Sequence, residues 1–325
     1  MATFTGAVRN LMMTPKLADV SFAGRGFPVR ETAATRRLEA IPQAVICGFE
    51  WAIDAKSRWE VERRLELVEA EHRGFAYEGA TMAYTVRDAM AGGRGVRAKE
   101  LLSGSGQPHI FLTYIGIGFA MARLPRPLWR NVLPDLTGTP YYPTMSWLAV
   151  DGLGFDRAYF HTRKWVTEQA RPKAYPWQGH PKYFGRAWDQ GVGRALWFIH
   201  GGHVADVATA VDRFDADRQS DLWSGVGLAA TFAGGTDGAG YAQLRTFSGP
   251  FAADVAQGAV FAAKARAFSG CEPAHTQLAV KTLAELDIAA AAALADDVAA
   301  DGLTARGEPE YEIWRRLVRD AVPVA

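Results

Sequence analysis

The chain has 325 residues, 49% of them apolar and 22% charged, enough to bury a large core and composed like a soluble globular protein. A formal net charge of +1 without a basic block excludes the electrostatic footprint of a nucleic-acid or membrane-surface binder. Two cysteines far apart in sequence, Cys47 and Cys271, form neither a disulfide framework nor a zinc cluster and fit a reducing cytoplasm.

Taken in chain order, "MATFTGAVRNLMMTPK" lacks the apolar region and small-residue cleavage site of a signal peptide. "VSFAGRGFPV" (20–29) predicts a short irregular or extended piece. From residue 33 onward apolar residues recur at helical spacing around "CGFEWA" (Gly48), "EGATMAYTV" (Gly79) and "IGIGFAMA" (Gly116). The longest apolar run, 110–122, is 13 residues, short of the roughly 20 that span a bilayer. Two stretches rich in proline and aromatics, 124–145 and 170–184, predict non-helical connections on either side of "DGLGFDRAYF" (Gly152). "QGVGRALWF" (Gly191) follows, then the helical "HVADVATAVDRF" and a polar break predicted over "DADRQSD" (215–221). "LWSGVGLAATFA" (Gly225) and "FAADVAQGAVFAAKARAF" (Gly258) are long helical runs, with "AGYAQLRTF" between them. "TLAELDIAAAAALADDVAADG" and "PEYEIWRRLVRDAV" predict capping helices within 273–325.

The glycines at 48, 79, 116, 152, 191, 225 and 258 are separated by 31, 37, 36, 39, 34 and 33 residues. A period in the thirties is the mark of one supersecondary unit repeated, here a short helix, a turn and a longer helix carrying the glycine. Strand-like alternation is nearly absent. The predicted fold is therefore all-α: a single domain over 1–325, with helical hairpins over 33–270 in a solenoid or toroid-like α/α array. Glycine inside a helix costs about 1 kcal/mol relative to alanine, so its repeated use needs a reason. Close helix approach supplies one, with Ala120, Ala158, Ala195, Ala229 and Ala262 adding small residues along a single face. A phosphate loop is disfavoured, because "GLGFDR" and "GVGRAL" lack the third glycine and follow no strand.

Two units carry extra decoration: Asp151 and Asp189 lie just before the glycine, and His161 and His200 lie nine residues after Gly152 and Gly191. Glu78 occupies the position of Asp151 in an earlier unit. A carboxyl group on an apolar helix face has a raised pKa and can act as a general acid; equally, it can pair with an arginine such as Arg157 or Arg194. A histidine at a helix C-terminus is favoured by the dipole and can exchange protons. Glu78, Asp151, Asp189, His161, His200 and Arg194 are thus the candidate catalytic set. Tyr77, Phe155, Tyr159, Trp165, Trp188, Trp197 and Trp223 are candidates to line a site for a flat unsaturated chain, core packing being the competing explanation. "HGGH" (200–203) has too few partners for a metal site, Asp221 reads as a helix N-cap, and no cofactor motif is evident.

"RGFAYEGATMA" (73–83), "DGLGFDRAYFHTRKWV" (151–166), "DQGVGRALWF" (189–198) and "DLWSGVGLAATFAGG" (221–235) resemble signature segments of a bacterial domain-of-unknown-function family. Its members are encoded in enediyne biosynthetic gene clusters (UnbL-like proteins), beside the polyketide synthase that makes a linear polyene. The resemblance runs from "SFAGRGFPV" to "YEIWRRLV" and implies action on that polyketide-derived polyene during enediyne core formation. It implies a hydrophobic polyene and the synthase or other pathway proteins as partners, and brings no agreed catalytic residues. The competing functions are a non-catalytic helical-repeat protein that binds polyene or synthase, and a proton-initiated isoprenoid cyclase, for which no acidic cyclase motif is present.

Overall fold

The computed structural model describes residues 16–92, 96–299 and 307–323. It is helical throughout, with no β-strand among the described residues. Two single turns, α1 (Leu17–Val20) and α2 (Phe22–Arg25), precede α3 (Ala33–Ile53), α4 (Arg58–Glu66), α5 (Ala70–Met90), α6 (Val96–Leu102), α7 (Ile110–Arg123) and α8 (Trp147–Phe160). Then come α9 (Phe184–Ile199), α10 (Val204–Asp212), α11 (Ala216–Ala233), α12 (Gly238–Ser248) and α13 (Ala252–Ser269). The last three are α14 (Ala274–Leu283), α15 (Ile288–Asp297) and α16 (Glu310–Ala321). Residues 300–306, inside the predicted C-terminal capping region, lie outside the described residues. No helix among the described residues is long and apolar enough to cross a membrane.

The extended piece predicted over 20–29 is instead partly helical. The Ser21 hydroxyl accepts from the Gly24 amide at 3.0 Å, and Gly26 closes the turn in the left-handed region at φ 65°. A capping hydroxyl and a glycine five residues beyond it are enough to bracket one turn. The polar break predicted over 215–221 is also shorter than expected. Helix α11 begins at Ala216 with Asp215 at its N-cap, so Arg218 and Asp221 lie on the helix, and Asp221 is not a cap. Both proline-rich connections contain only short turns: 3-10 turns at Arg126–Asn131, Thr144–Ser146 and Trp177–Gly179, with a π turn at Arg163–Thr167 just ahead of the second connection.

The chain divides into two compact units: Met1–Gly26 with Glu39–Leu153, and Phe27–Leu38 with Gly154–Ala325. In the first, α5 is buried along most of its length and α7 along nearly all of it. Gly116 of α7 abuts the Glu78 carbonyl of α5, while Gly118 abuts the Ala149 carbonyl of α8. Gly152 of α8 returns the second contact against the Ile115 carbonyl, and Gly48 and Gly79 do the same between α3 and α5. At each of these positions a Cβ would collide with a backbone oxygen of the neighbouring helix.

The second unit repeats the device. Gly193 of α9 meets the Leu222 carbonyl and Gly225 of α11 meets the Gln190 carbonyl; Gly227 meets the Val255 carbonyl of α13, and Gly258 meets the Ser224 carbonyl. The expected face of small residues is joined by a second one. Residues i and i+2 of a helix point about 200° apart, so the two glycines of 116/118 and of 225/227 serve opposite neighbours. The first in α7 and α11 faces the preceding long helix and the second faces the next one.

Helix α11 ends in the interior, where its last carbonyls need donors. Tyr241 Oη donates to the Ala230 carbonyl (3.2 Å), Thr276 Oγ1 to Thr231 (3.0 Å), Arg266 Nη2 to Phe232 (2.6 Å) and Trp197 Nε1 to Gly234 (2.8 Å). Four side chains from α12, α14, α13 and α9 thus close one helix end.

Candidate functional site

The three predicted carboxylates are all buried, at 4% exposure for Glu78, 1% for Asp151 and 6% for Asp189. Glu78 and Asp151 lie on α5 and α8, the two helices that flank α7 through its paired glycines. Asp189, in the second unit, is met from α11 by Arg218, whose Nη2 and Nε donate to its two oxygens at 2.6 and 2.9 Å. Arg218 is itself buried, caps the Gln169 carbonyl with Nη1 at 2.9 Å, and lies over the Phe214 ring. Burial pushes the Asp189 carboxyl up, and the Arg218 guanidinium opposes that shift. A bidentate pair of this kind engages both carboxylate oxygens. The arginine anticipated for such a carboxylate was Arg157 or Arg194; the one that pairs with Asp189 is Arg218.

Arg194 is buried on α9 with its guanidinium 5.0 Å from the centre of the Phe155 ring. Phe155 stacks on Tyr159 at 5.7 Å and meets Phe198 edge-on at 5.5 Å, and Phe27 closes on Tyr159 at 5.0 Å. Arg194, Phe155 and Tyr159 are therefore brought together. Spacing explains this on each helix: Arg194 and Phe198 are four apart on α9, as Phe155 and Tyr159 are on α8, so each pair shares a face.

A second aromatic group gathers at the start of α9. Trp165 lies 4.6 Å from Trp188, Trp188 6.3 Å from Phe184, Phe184 5.9 Å from Tyr175, and Tyr175 6.5 Å from Trp177. Trp197 is elsewhere, spent on the end of α11, and Trp223 is fully buried on α11. In the first unit Tyr77 is buried with its ring 4.9 Å from His109.

The two predicted histidines both terminate helices. His161 follows the last residue of α8 and is exposed, with Thr162 next to it bonded back to Ala158. His200 is the C-cap of α9, followed by Gly201 and Gly202 in left-handed conformation at φ 57° and 74°. "HGGH" is thus a helix stop. Burial pulls the His200 imidazole below its usual range, and its Nδ1 has no hydrogen-bond partner. His203 pairs locally with Asp206 at 2.8 Å. No group of three or more metal-ligating side chains forms among the described residues.

The densest charged cluster was not singled out from sequence. Arg315 of α16 donates to Asp221 (2.8 Å), to Glu312 (2.6 Å) and to the Tyr183 hydroxyl (3.1 Å). Arg186 bridges Asp221 (2.8 Å) and Glu312 (2.9 Å), Tyr183 donates to Glu312 (2.8 Å), and Gln190 donates to Asp221 (3.1 Å). Burial would raise the Glu312 carboxyl, but Arg315 and Arg186 outweigh it and hold the group at about 2. Desolvation and the neighbouring Glu312 push the Tyr183 phenol well above its ordinary value. The one available signal was "EYEIWRRLVRD", whose acidic and basic residues three to four apart on an otherwise apolar face suggest buried charge.

These features define an all-helical protein whose long helices touch through glycine and bury carboxylates, arginines and aromatic rings between them. The chain belongs to the family described as "Protein of unknown function (DUF1702)", whose model matches residues 4–322. No curated protein and no solved structure matches it.

Proposed function

We propose that this protein acts on a polyketide-derived linear polyene during enediyne core formation, by acid–base chemistry in apolar surroundings. The observation that carries the reading is the likeness of residues 73–83, 151–166, 189–198 and 221–235 to segments of enediyne-cluster proteins. Those segments bear the buried Glu78, Asp151, Asp189 and Arg194 and the rings Tyr77, Phe155, Tyr159, Trp197 and Trp223. A carboxyl group enclosed by helices and rings is where proton transfer to an unsaturated chain is favoured. Within this reading the glycine-linked helices are successive units of an α/α repeat array, working in the cytoplasm beside the synthase. Reconstitution with the synthase's polyene product tests it. Wild-type protein converts the polyene, Glu78→Gln or Asp151→Asn abolishes the conversion, and conversion by every variant as by wild type removes the acid–base role.

A second reading, non-catalytic binding of the polyene or the synthase, is favoured by the engagement of both Asp189 oxygens with Arg218. Saturable polyene binding by the isolated protein without turnover supports it, and turnover excludes it.

A further inference from the structure

A lysine is seldom buried, because its ammonium gives up strong hydration. Lys264 is the one buried lysine among the described residues, at 7% exposure. It lies on α13 in the run "VFAAKARAFS", where most neighbours are small and apolar. Its Nζ donates to Asp296 Oδ2 of α15 at 2.5 Å, and the Asp296 side chain reaches solvent at 51% exposure. Three helices build the surroundings. Phe261 precedes Lys264 by three residues and so shares its face of α13. The Phe261 ring meets Trp314 of α16 edge-on at 5.0 Å and stacks on Tyr311 at 6.3 Å. Trp314 in turn donates through Nε1 to the carbonyl of Ala295, the residue beside Asp296, at 2.7 Å. Lys264, Asp296, Trp314 and Phe261 thus form a closed circuit, with the lysine buried and the carboxylate on the solvent side.

Replacing a buried ion pair by apolar side chains of similar volume is often neutral or stabilising, so stability alone does not account for a lysine at 264. What lysine brings, and an apolar side chain lacks, is a nucleophilic nitrogen. In desolvated surroundings such an amine condenses with carbonyl compounds. The adjoining rings of Phe261, Trp314 and Tyr311 suit a planar, unsaturated molecule, and ring faces favour a cation beside them.

We infer that Lys264 is an imine-forming site for a small unsaturated aldehyde or ketone, with Asp296 as its proton shuttle. The Lys264 ammonium gives one proton to Asp296, and the neutral amine adds to the carbonyl carbon. Proton transfer from nitrogen to oxygen then leaves a neutral carbinolamine. The nitrogen lone pair expels the hydroxyl group, to which Asp296 returns its proton, so water departs. The product is a protonated imine facing the Asp296 carboxylate, with net charge unchanged and no oxidant or reductant consumed. The inference stands apart from the polyene reading, because it requires only a carbonyl group and residues of α13, α15 and α16.

The test treats the full chain with sorbaldehyde, a conjugated dienal, and sodium cyanoborohydride, then follows the reduced adduct at every lysine by mass spectrometry. Lys264 is expected to react at least about tenfold faster than any exposed lysine. Asp296→Asn should slow Lys264 by about tenfold and leave the other lysines unchanged. Without the reductant, wild type should show the long-wavelength absorbance of a protonated conjugated imine, absent from Lys264→Met. The adduct map on wild type decides the matter even where a variant fails to fold. Adducts spread over the exposed lysines, with Lys264 no faster than they are, overturn the inference. So does Lys264 labelling at the wild-type rate in a folded Asp296→Asn, which removes the shuttle.

Discussion

Glu312 sits within hydrogen-bonding distance of Tyr183, Arg186 and Arg315, and its charge is what makes the burial of Arg315 tolerable. Removing one partner of a buried ion cluster leaves the others uncompensated, a loss of about 3–5 kcal/mol. Glu312→Gln should therefore lower unfolding stability by that order, measured by urea titration with circular dichroism. Asp189 offers a sharper contrast. Asp189→Asn alone strands Arg218 and should cost a similar amount, whereas Asp189→Leu with Arg218→Met replaces the pair by apolar side chains and should recover most of it. Failure of the double variant to recover stability would show that Arg218 matters chiefly through the Gln169 carbonyl and the Phe214 ring.

At the scale of the helices, what decides packing is the missing Cβ. Gly185 and Gly193 lie on the same helix, α9, yet an added Cβ meets nothing at 185 and a backbone carbonyl at 193. Gly185→Ala should be neutral or stabilise by up to about 1 kcal/mol, through helix propensity alone. Gly193→Ala gains the same propensity but must part α9 from α11, for a net loss of about 1–3 kcal/mol. Thermal melts of the two variants side by side check the sign. Equal shifts would mean that the helix pair yields freely at that contact.

For the molecule as a whole, pH is the informative variable. The depressed His200 imidazole takes up its proton less readily folded than unfolded. Its contribution to stability is thus complete above about pH 6.5 and is lost as pH falls through the lower folded value. Its field includes Asp206, which opposes the shift, and Arg213 and His203, which add to it. Glu312, held at about 2 against 4.5 unperturbed, contributes stability above about pH 4.5 that disappears on the way down to pH 2. Melting temperature against pH should show two declines, the upper one removed by His200→Leu and the lower one by Glu312→Gln. A single decline unaffected by His200→Leu would reject the buried-imidazole assignment.

Much of this was legible before any folding. Helical periodicity, proline-rich connections and histidines ending two helices are local properties, set by dihedral preferences and by spacing within one turn. The glycines announced close helix contact because nothing else repays their cost inside a helix. Other features were not legible. That Gly116 and Gly118 face different helices follows from helix geometry, but which helices they face is decided by the path of the whole chain. The partner of Asp189 lies 29 residues away, and Tyr183 and Glu312 meet across 129. Spacing and composition alone established the all-helical class, the positions of close helix contact and the candidates Glu78, Asp151 and Asp189, but not the Asp221–Glu312–Arg315 cluster. Only the tertiary structure decided which carboxylate meets which arginine, because charge pairing at such separations depends on three-dimensional proximity that no local pattern encodes.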